Sequence, residues 1–423
     1  MNWDNIFKTL EKYTQYKHYL LLFDQYKLPR KQSRDEMSKV LHEAVTDEGF
    51  IGSIMSETAM DEWLALHQKD GNNYSFVYNL QEKIQDGLLN NLYVSRNKYI
   101  KLRLWDINPH NESEDLNSVM PNLTDITLVG IHRNENAGTY TFSFVSPCEV
   151  TGSRADGSTR VFKKVFFSHC VFFDNSNDVK VIFNPTSNLQ HVNGVRKERF
   201  DWTPIANMVF NKVQEYIGGV LIVAPNWIPQ ALYKFAEEAT SHNNPKITAA
   251  SFNAQEMIEE FAAEVLKQAG VDTINEPALI SRLIQDIQIS FESQLFEIYS
   301  VEEEKENSLT IFKQRSDGIT HIISVESTEE GFKIGPAAQA ARRSRQDGDI
   351  DLLGVNLKTN DRMYKFLVEQ GTDAYLIRGT NTFIEEEVVN IVIRRLNEYR
   401  TKIQVAAERH IRSEEGTSFP EAK

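Results

Sequence analysis

The amino-acid sequence predicts a multi-domain α+β protein. It should have a helical N-terminal part, a central antiparallel β-sheet domain, a helical connector and a C-terminal α/β domain. Three observations predict this. Apolar residues recur at helical spacing up to about residue 93, and the period falls to two between about residues 94 and 185. After a second helical stretch, short apolar strands and helices mix from residue 301 onward. The 423 residues leave room for two or three domains of ~100–200 residues each. A hydrophobic content of 41% suffices for a buried core.

In residues 1–93, Ile6, Leu10 and Tyr13 share a helical face. Ser33 opens a second helix. Asp35 and Glu36 occupy its first turn, where carboxylates meet the positive end of the helix dipole. Further helices are expected over 57–67 and 77–92, with turn-forming residues at 68–73 between them. In residues 94–195, YIKLRLW (99–105), ITLVGIH (126–132), TYTFSFV (139–145), RVFKKVFF (160–167) and VKVIFNP (179–185) read as strands. The polar stretch 106–124 reads as a long loop. Helices return in residues 196–300, over roughly 201–216, 227–240, 254–269 and 277–299. Residues 254–269 are amphipathic, and Leu279, Leu283, Ile287, Phe291 and Leu295 line one stripe of the last helix. The charge run 301–307 marks the start of a domain over 301–411, and 412–423 reads as a flexible tail.

The candidate chemistry lies in residues 308–379. Their pattern reads strand, turn, strand, basic helix, strand, helix, strand. LTIFKQ (309–314) and ITHIISVE (319–326) form the first hairpin. A helix over 335–346, a strand over 349–357, a helix over 360–369 and a strand over 374–379 follow. Asp317 sits at the first turn, with Glu326 one strand-length away. Two carboxylates and a lysine are what metal-assisted phosphodiester hydrolysis requires. The carboxylates hold Mg²⁺, while the lysine positions water and balances charge.

Over roughly residues 277–380 this layout resembles the restriction-endonuclease-like superfamily, with its PD-(D/E)XK signature and an Mrr-like end. The resemblance implies Asp317 and Glu326 as metal and catalytic carboxylates. Gln339 would match a helix glutamine of some members, and Glu297 an extra acidic residue before the core. The family's lysine falls at Thr328, which leaves Lys333 as its substitute. The resemblance therefore implies either a Mg²⁺-dependent nuclease or a degenerate, binding-only relative of bacterial-defence or mobile-element type. Arg315, Arg342, Arg343 and Arg345 are the candidate nucleic-acid contacts, since phosphates need cations on a shared surface. A solvated helix face explains the same arginines.

A competing reading takes Asp349 and Asp351 with Asp373. They resemble the DxD-plus-Asp set of the nucleotidyltransferase superfamily, although Gly335 is followed by Pro336 where that family carries serine.

Composition favours a different class. The 46 basic and 60 acidic side chains leave a net charge of −14, which weighs against a surface-wide polyanion binder. It suits a non-catalytic oligomeric scaffold or adaptor that engages protein partners, or further copies of itself, through apolar helix faces. Cys148 and Cys170 lie in apolar strand-like runs and read as reduced, buried thiols. His169 and Cys170 are adjacent in a strand and point to opposite faces, so they do not form a nucleophile pair. Phosphate-loop, GxGxxG, HExxH and GxSxG motifs are absent from the sequence. There is no signal-peptide pattern and no apolar run approaching the ~20 residues that span a bilayer. The expectation is a cytoplasmic protein without membrane contact.

Overall fold

The computed structural model describes the chain apart from residues 48–51, 86, 110–122, 154–156, 200, 241–243, 272–274, 300–307, 319–321, 328–331, 333–334, 360–361, 381 and 416–423. The described residues form eleven α-helices and thirteen strands, a mixed α+β protein. They group into two compact units. The first joins Met1–Pro225 to Gly371–Asn390, and the second joins Asn226–Gln370 to Ile391–Lys423. Residues 301–411 are thus shared between the units.

The first unit begins with α1 (Trp3–Tyr13), α2 (Tyr16–Tyr26), α3 (Arg34–Thr46) and α4 (Glu57–Leu66). The expected start of α3 is present as a capping box. Ser33 Oγ accepts from the Glu36 N–H at 3.2 Å, and the Ser33 N–H donates to the Glu36 carboxylate at 3.4 Å. The sheet strands are β1 (Tyr74–Leu80), β2 (Thr127–Asn134), β3 (Thr139–Ser153), β4 (Thr159–Phe173), β5 (Asp178–Phe183), β6 (Leu189–Val192), β7 (Val195–Arg196), β8 (Ile222–Val223) and β13 (Ala374–Gly379). Their order is β13-β1-β5-β4-β3-β6-β7, with β2 also on β3 and β8 on β1. All of these pairings are antiparallel. Side-chain alternation sends Phe142, Phe144, Phe166, Phe172 and Phe183 to one face, against Val209, Phe210 and Val213 of α6 (Thr203–Ile217). Val129, Val145, Val165 and Phe167 go to the other face, against Ile6, Leu10, Tyr19 and Phe23 of the N-terminal helices.

Two expectations fail in this unit. The helix expected over 77–92 is replaced by β1, and only α5 (Leu88–Val94) is helical. The run YSFVYNL is rich in β-branched and aromatic side chains and is buried almost throughout. It lies between β5 and β13, so tertiary pairing outweighs local helical spacing. Residues 99–105 form no strand. Single 3₁₀ turns at Arg96–Lys98 and Leu104–Asp106 place Leu104 in the helical core, while Arg103 pairs with Asp61 at 2.6 Å.

The second unit contains α7 (Ile228–Thr240), α8 (Pro245–Gln268), α9 (Pro277–Tyr299), β9 (Ser308–Gly318), β10 (Ile322–Glu326), α10 (Gly335–Asp347), β11 (Gly348–Lys358) and β12 (Met363–Glu369). It also holds most of α11 (Glu386–Glu415). Its strand order is β10-β9-β11-β12, all antiparallel. The helix expected over 360–369 is instead β12. Tyr364, Phe366 and Val368 alternate inward and pair in register with β11, a period-two pattern that no helix satisfies. The polar loop 106–124, the charge run 301–307 and the tail fall largely outside the described residues.

Helices α8 and α9 form an antiparallel hairpin. Asn244 Nδ2 donates to the Tyr299 carbonyl at 2.8 Å, and Ser251 Oγ donates to Glu292 Oε1 at 2.7 Å. Asn244 also caps α8, with its side chain accepting from the Lys246 N–H, and Pro245 stands at the first helical position.

Candidate functional site

The predicted carboxylates lie on β9 and β10. Asp317 sits near the end of β9, not in a turn, and its pairing partners are Ile322 on β10 and Asp349 on β11. Glu326 pairs with Lys313, four positions back along β9, and its carboxylate accepts from Lys313 Nζ at 2.7 Å. At ~3.3 Å per residue, four positions separate Asp317 from Glu326 by about 13 Å. One Mg²⁺ holds its oxygens at about 2.1 Å, so this pair does not fit a shared ion. The pair that does face across the sheet is Asp317 and Asp349, both exposed. Lys333 and Thr328 lie outside the described residues. Gln339 stands half-buried on α10, and Glu297 belongs to α9. Among the described residues, no group of three or more His, Cys, Asp or Glu side chains is placed to hold a metal ion.

The four candidate arginines are occupied by protein groups. Arg315 Nε donates to both oxygens of Asp351, at 3.0 and 2.9 Å, and Arg315 Nη2 donates to Glu369 Oε1 at 2.9 Å. The hydrogen bonds to Asp351 and Glu369 push the guanidinium pKa up despite partial burial. A bulge brings this about: Ile350 faces Ser316 and Leu352 faces Arg315, leaving Asp351 as the extra residue. Arg343 grips Asp286 of α9 with two hydrogen bonds, at 2.8 and 2.5 Å. Arg342 Nη2 donates to the Thr240 carbonyl at 2.8 Å, and Arg345 Nη2 to Thr240 Oγ1 at 3.1 Å. Both therefore sit at the C-terminal end of α7, where the helix dipole favours cations. Burial lowers Arg345 to about 10.

The three aspartates of the competing reading are likewise dispersed in role. Asp349 is exposed, and Asp351 is held by Arg315. Asp373 belongs to the first unit, where it accepts from Asn207 Nδ2 at 3.4 Å.

Sequence reasoning missed a buried polar cluster in the first unit. Lys180 on β5 is fully buried and donates to Glu386 Oε1 and to Asn390 Oδ1. Lys69 approaches the other Glu386 oxygen at 3.7 Å, and Asp70 accepts the Glu386 N–H at 2.7 Å. Burial would raise the Glu386 carboxyl, but Lys180 and Lys69 outweigh it and hold it at about 2. Beside this cluster, a cavity of 530 Å³ is lined by His18, Trp63, His67, Lys69, Asp70 and His132, among others. Two of its histidines are internally satisfied. His18 Nδ1 accepts from the Gln15 N–H, and His18 Nε2 donates to the Asp70 carbonyl. His67 Nδ1 donates to the Leu64 carbonyl, and its Nε2 accepts from Thr14. These bonds assign neutral rings in opposite tautomers. Burial lowers His18 to about 4 and His67 well below its ordinary value. The cluster's chemistry is that of a structural tie.

No family model matches the chain, and no curated protein or solved structure is significantly similar to it.

What the second unit leaves open is apolar surface. On α8, Phe252 is 75% exposed, Met257 71% and Phe261 60%, and on α9 Ile298 is 70% exposed. The amphipathic signal in residues 254–269 is legible in the sequence. Which of two apolar stripes packs against α9 is not.

Proposed function

We propose that the protein is a non-catalytic adaptor that engages a protein partner through the α8–α9 hairpin. The observation that carries this reading is the exposure of Met257 and Phe261 on α8, a helix whose buried stripe is separate and already packed. Adjacent exposed apolar side chains on a well-formed helix mark interaction surfaces. The occupied arginines and the separation of Asp317 from Glu326 support it further.

The native chain should bind an environment-sensitive apolar dye, and Met257→Ser/Phe261→Ser should lose most of that signal with an unchanged fold. The same chain should leave plasmid DNA, linear DNA and RNA intact with Mg²⁺ or Mn²⁺. Cleavage that disappears in Asp317→Ala would overturn the adaptor reading.

One observation favours a second reading, nucleic-acid engagement by the second unit. Asp317 and Asp349 are directly opposed across β9 and β11, a spacing of about 5 Å between Cβ atoms. Mg²⁺ uses one or two carboxylates plus water and substrate phosphates. Retention of DNA at low salt that requires Mg²⁺ and both aspartates would select this reading.

A further inference from the structure

We propose that α8 is the docking site for a basic amphipathic helix of a partner protein. The proposal rests on the adaptor reading and names the chemistry of the partner.

Residues four apart lie one above the other along a helix. Met257, Phe261 and Val265 therefore form one outward ridge, and all three are exposed. Glu256, Glu260 and Glu264 form a second exposed ridge. Glu260 and Glu264 fall three residues after Met257 and Phe261, so the acidic ridge runs directly beside the apolar one. The inward stripe of α8 is separate and consists of Ile247, Ser251, Ile258 and Ala262. At 1.5 Å per residue the apolar ridge is about 12 Å long, slightly over two turns. That length accepts a helix anchored at i, i+3 or i+4, and i+7.

Charge decides what the occupant is. Among the described residues, the neighbours bonded to the acidic side chains of this part of α8 are neutral donors. Gln255 Nε2 donates to Glu259 at 2.9 Å, and Gln268 Nε2 to Glu264 at 3.2 Å. Among the described residues, no cation pairs with Glu256 or Glu260. Lys267 stands three residues after Glu264 at the far end of the acidic ridge, and Lys246 lies ten residues before Glu256. A second copy of α8 on this ridge would bring glutamates against glutamates, and anionic lipid or nucleic acid would be repelled in the same way. A helix with lysines or arginines beside its apolar stripe satisfies both ridges at once.

The test uses the full chain and labelled helical peptides that share one leucine stripe. Their flanks carry lysine, glutamine or glutamate, and a fourth peptide keeps the lysines but replaces leucine by serine. Fluorescence anisotropy at low salt should show the lysine peptide binding about tenfold or more tighter than the glutamine peptide. The glutamate and serine peptides should bind weakest, and the advantage of lysine should shrink in high salt as charges are screened. Glu256→Lys/Glu260→Lys/Glu264→Lys should reverse the order of the lysine and glutamate peptides. These positions are exposed, and circular dichroism checks that the helix is retained.

Equal binding of the lysine and glutamine peptides overturns the charge assignment and leaves the adaptor reading standing. Equal binding of the leucine and serine peptides removes the apolar ridge from the proposal. Failure of all four peptides to bind overturns the proposal and the adaptor reading together. Self-association by sedimentation that is lost in Phe261→Ser would show a second copy on the ridge and would also overturn the proposal.

Discussion

The first unit buries ionisable side chains in its core, whereas α8 of the second turns large apolar ones outward. In the first, Lys180, Glu386, His18, His67 and His169 are buried, and most of their polar atoms meet protein partners. In the second, Asp317 and Asp349 are exposed and Arg315, Arg343 and Glu326 are tied in pairs at the surface, while large apolar side chains on α8 face outward. The contrast teaches that an ionisable residue is a poor guide to function until its partners are known. Buried charge here ties β5 to the N-terminal end of α11, within the first unit. On the adaptor reading proposed above, the surface of the second unit offers adhesion in place of reactivity.

The largest effect that would sharpen the contrast is acid sensitivity of the first unit. Burial holds His18 at about 4 and His169 at about 3, below the ~6.5 of a free ring. A depressed histidine contributes stability that is full above pH 6.5 and is lost as pH falls toward the folded value. Each should cost about 1.4 kcal/mol per pH unit in that window, on the order of 3 kcal/mol by pH 4. Asp70, raised by burial to about 6, works the other way, because its penalty above pH 6 is relieved as pH falls toward 3.8. Denaturant titrations from pH 7 to pH 4 should therefore show a net loss of stability that is smaller in His18→Gln. A flat profile would break the comparison.

Of comparable size is the buried tie. Lys180→Met leaves Glu386 buried without its main partner and should cost about 3–5 kcal/mol, whereas Lys180→Met/Glu386→Leu should recover much of that loss. A double variant no better than the single would mean that the cluster is not an isolated ion pair. Arg315→Ala is smaller, about 1–2 kcal/mol, because the side chain is partly exposed yet holds two carboxylates. A drop in DNA retention with unchanged stability would return Arg315 to a recognition role. The smallest effect belongs to the α8 ridge. Phe261→Ser should shift stability by no more than about 0.5 kcal/mol.

Much of the architecture was legible because it is local. The Ser33–Glu36 cap, the alternation in 126–145 and 160–183, and the long helices over 228–299 all follow from spacing along the chain. The failures share one cause. β1 and β12 each carry apolar residues at positions that also fit a helix, and partners remote in sequence decide the outcome: β13 and β5 for one, β11 for the other. The protein partners of the candidate arginines were hidden for the same reason. Arg315 finds Asp351 and Glu369 only after two strands fold beside it, across a bulge that the sequence does not announce. The exposed stripe of α8 is apolar in composition like the buried one, so composition cannot say which stripe faces water.

The return of the chain to the first unit has a consequence for its biosynthesis. A ribosome finishes β1–β8 and then makes all of residues 226–370 before β13 and Glu386 exist. At ~5–20 residues per second the wait is roughly 7–30 seconds. Throughout that interval the Tyr74–Tyr78 edge of β1 is open, and Lys180 lacks the carboxylate that offsets its burial. The nascent chain is therefore most vulnerable to aggregation late in translation, when its larger part is already outside the ribosome.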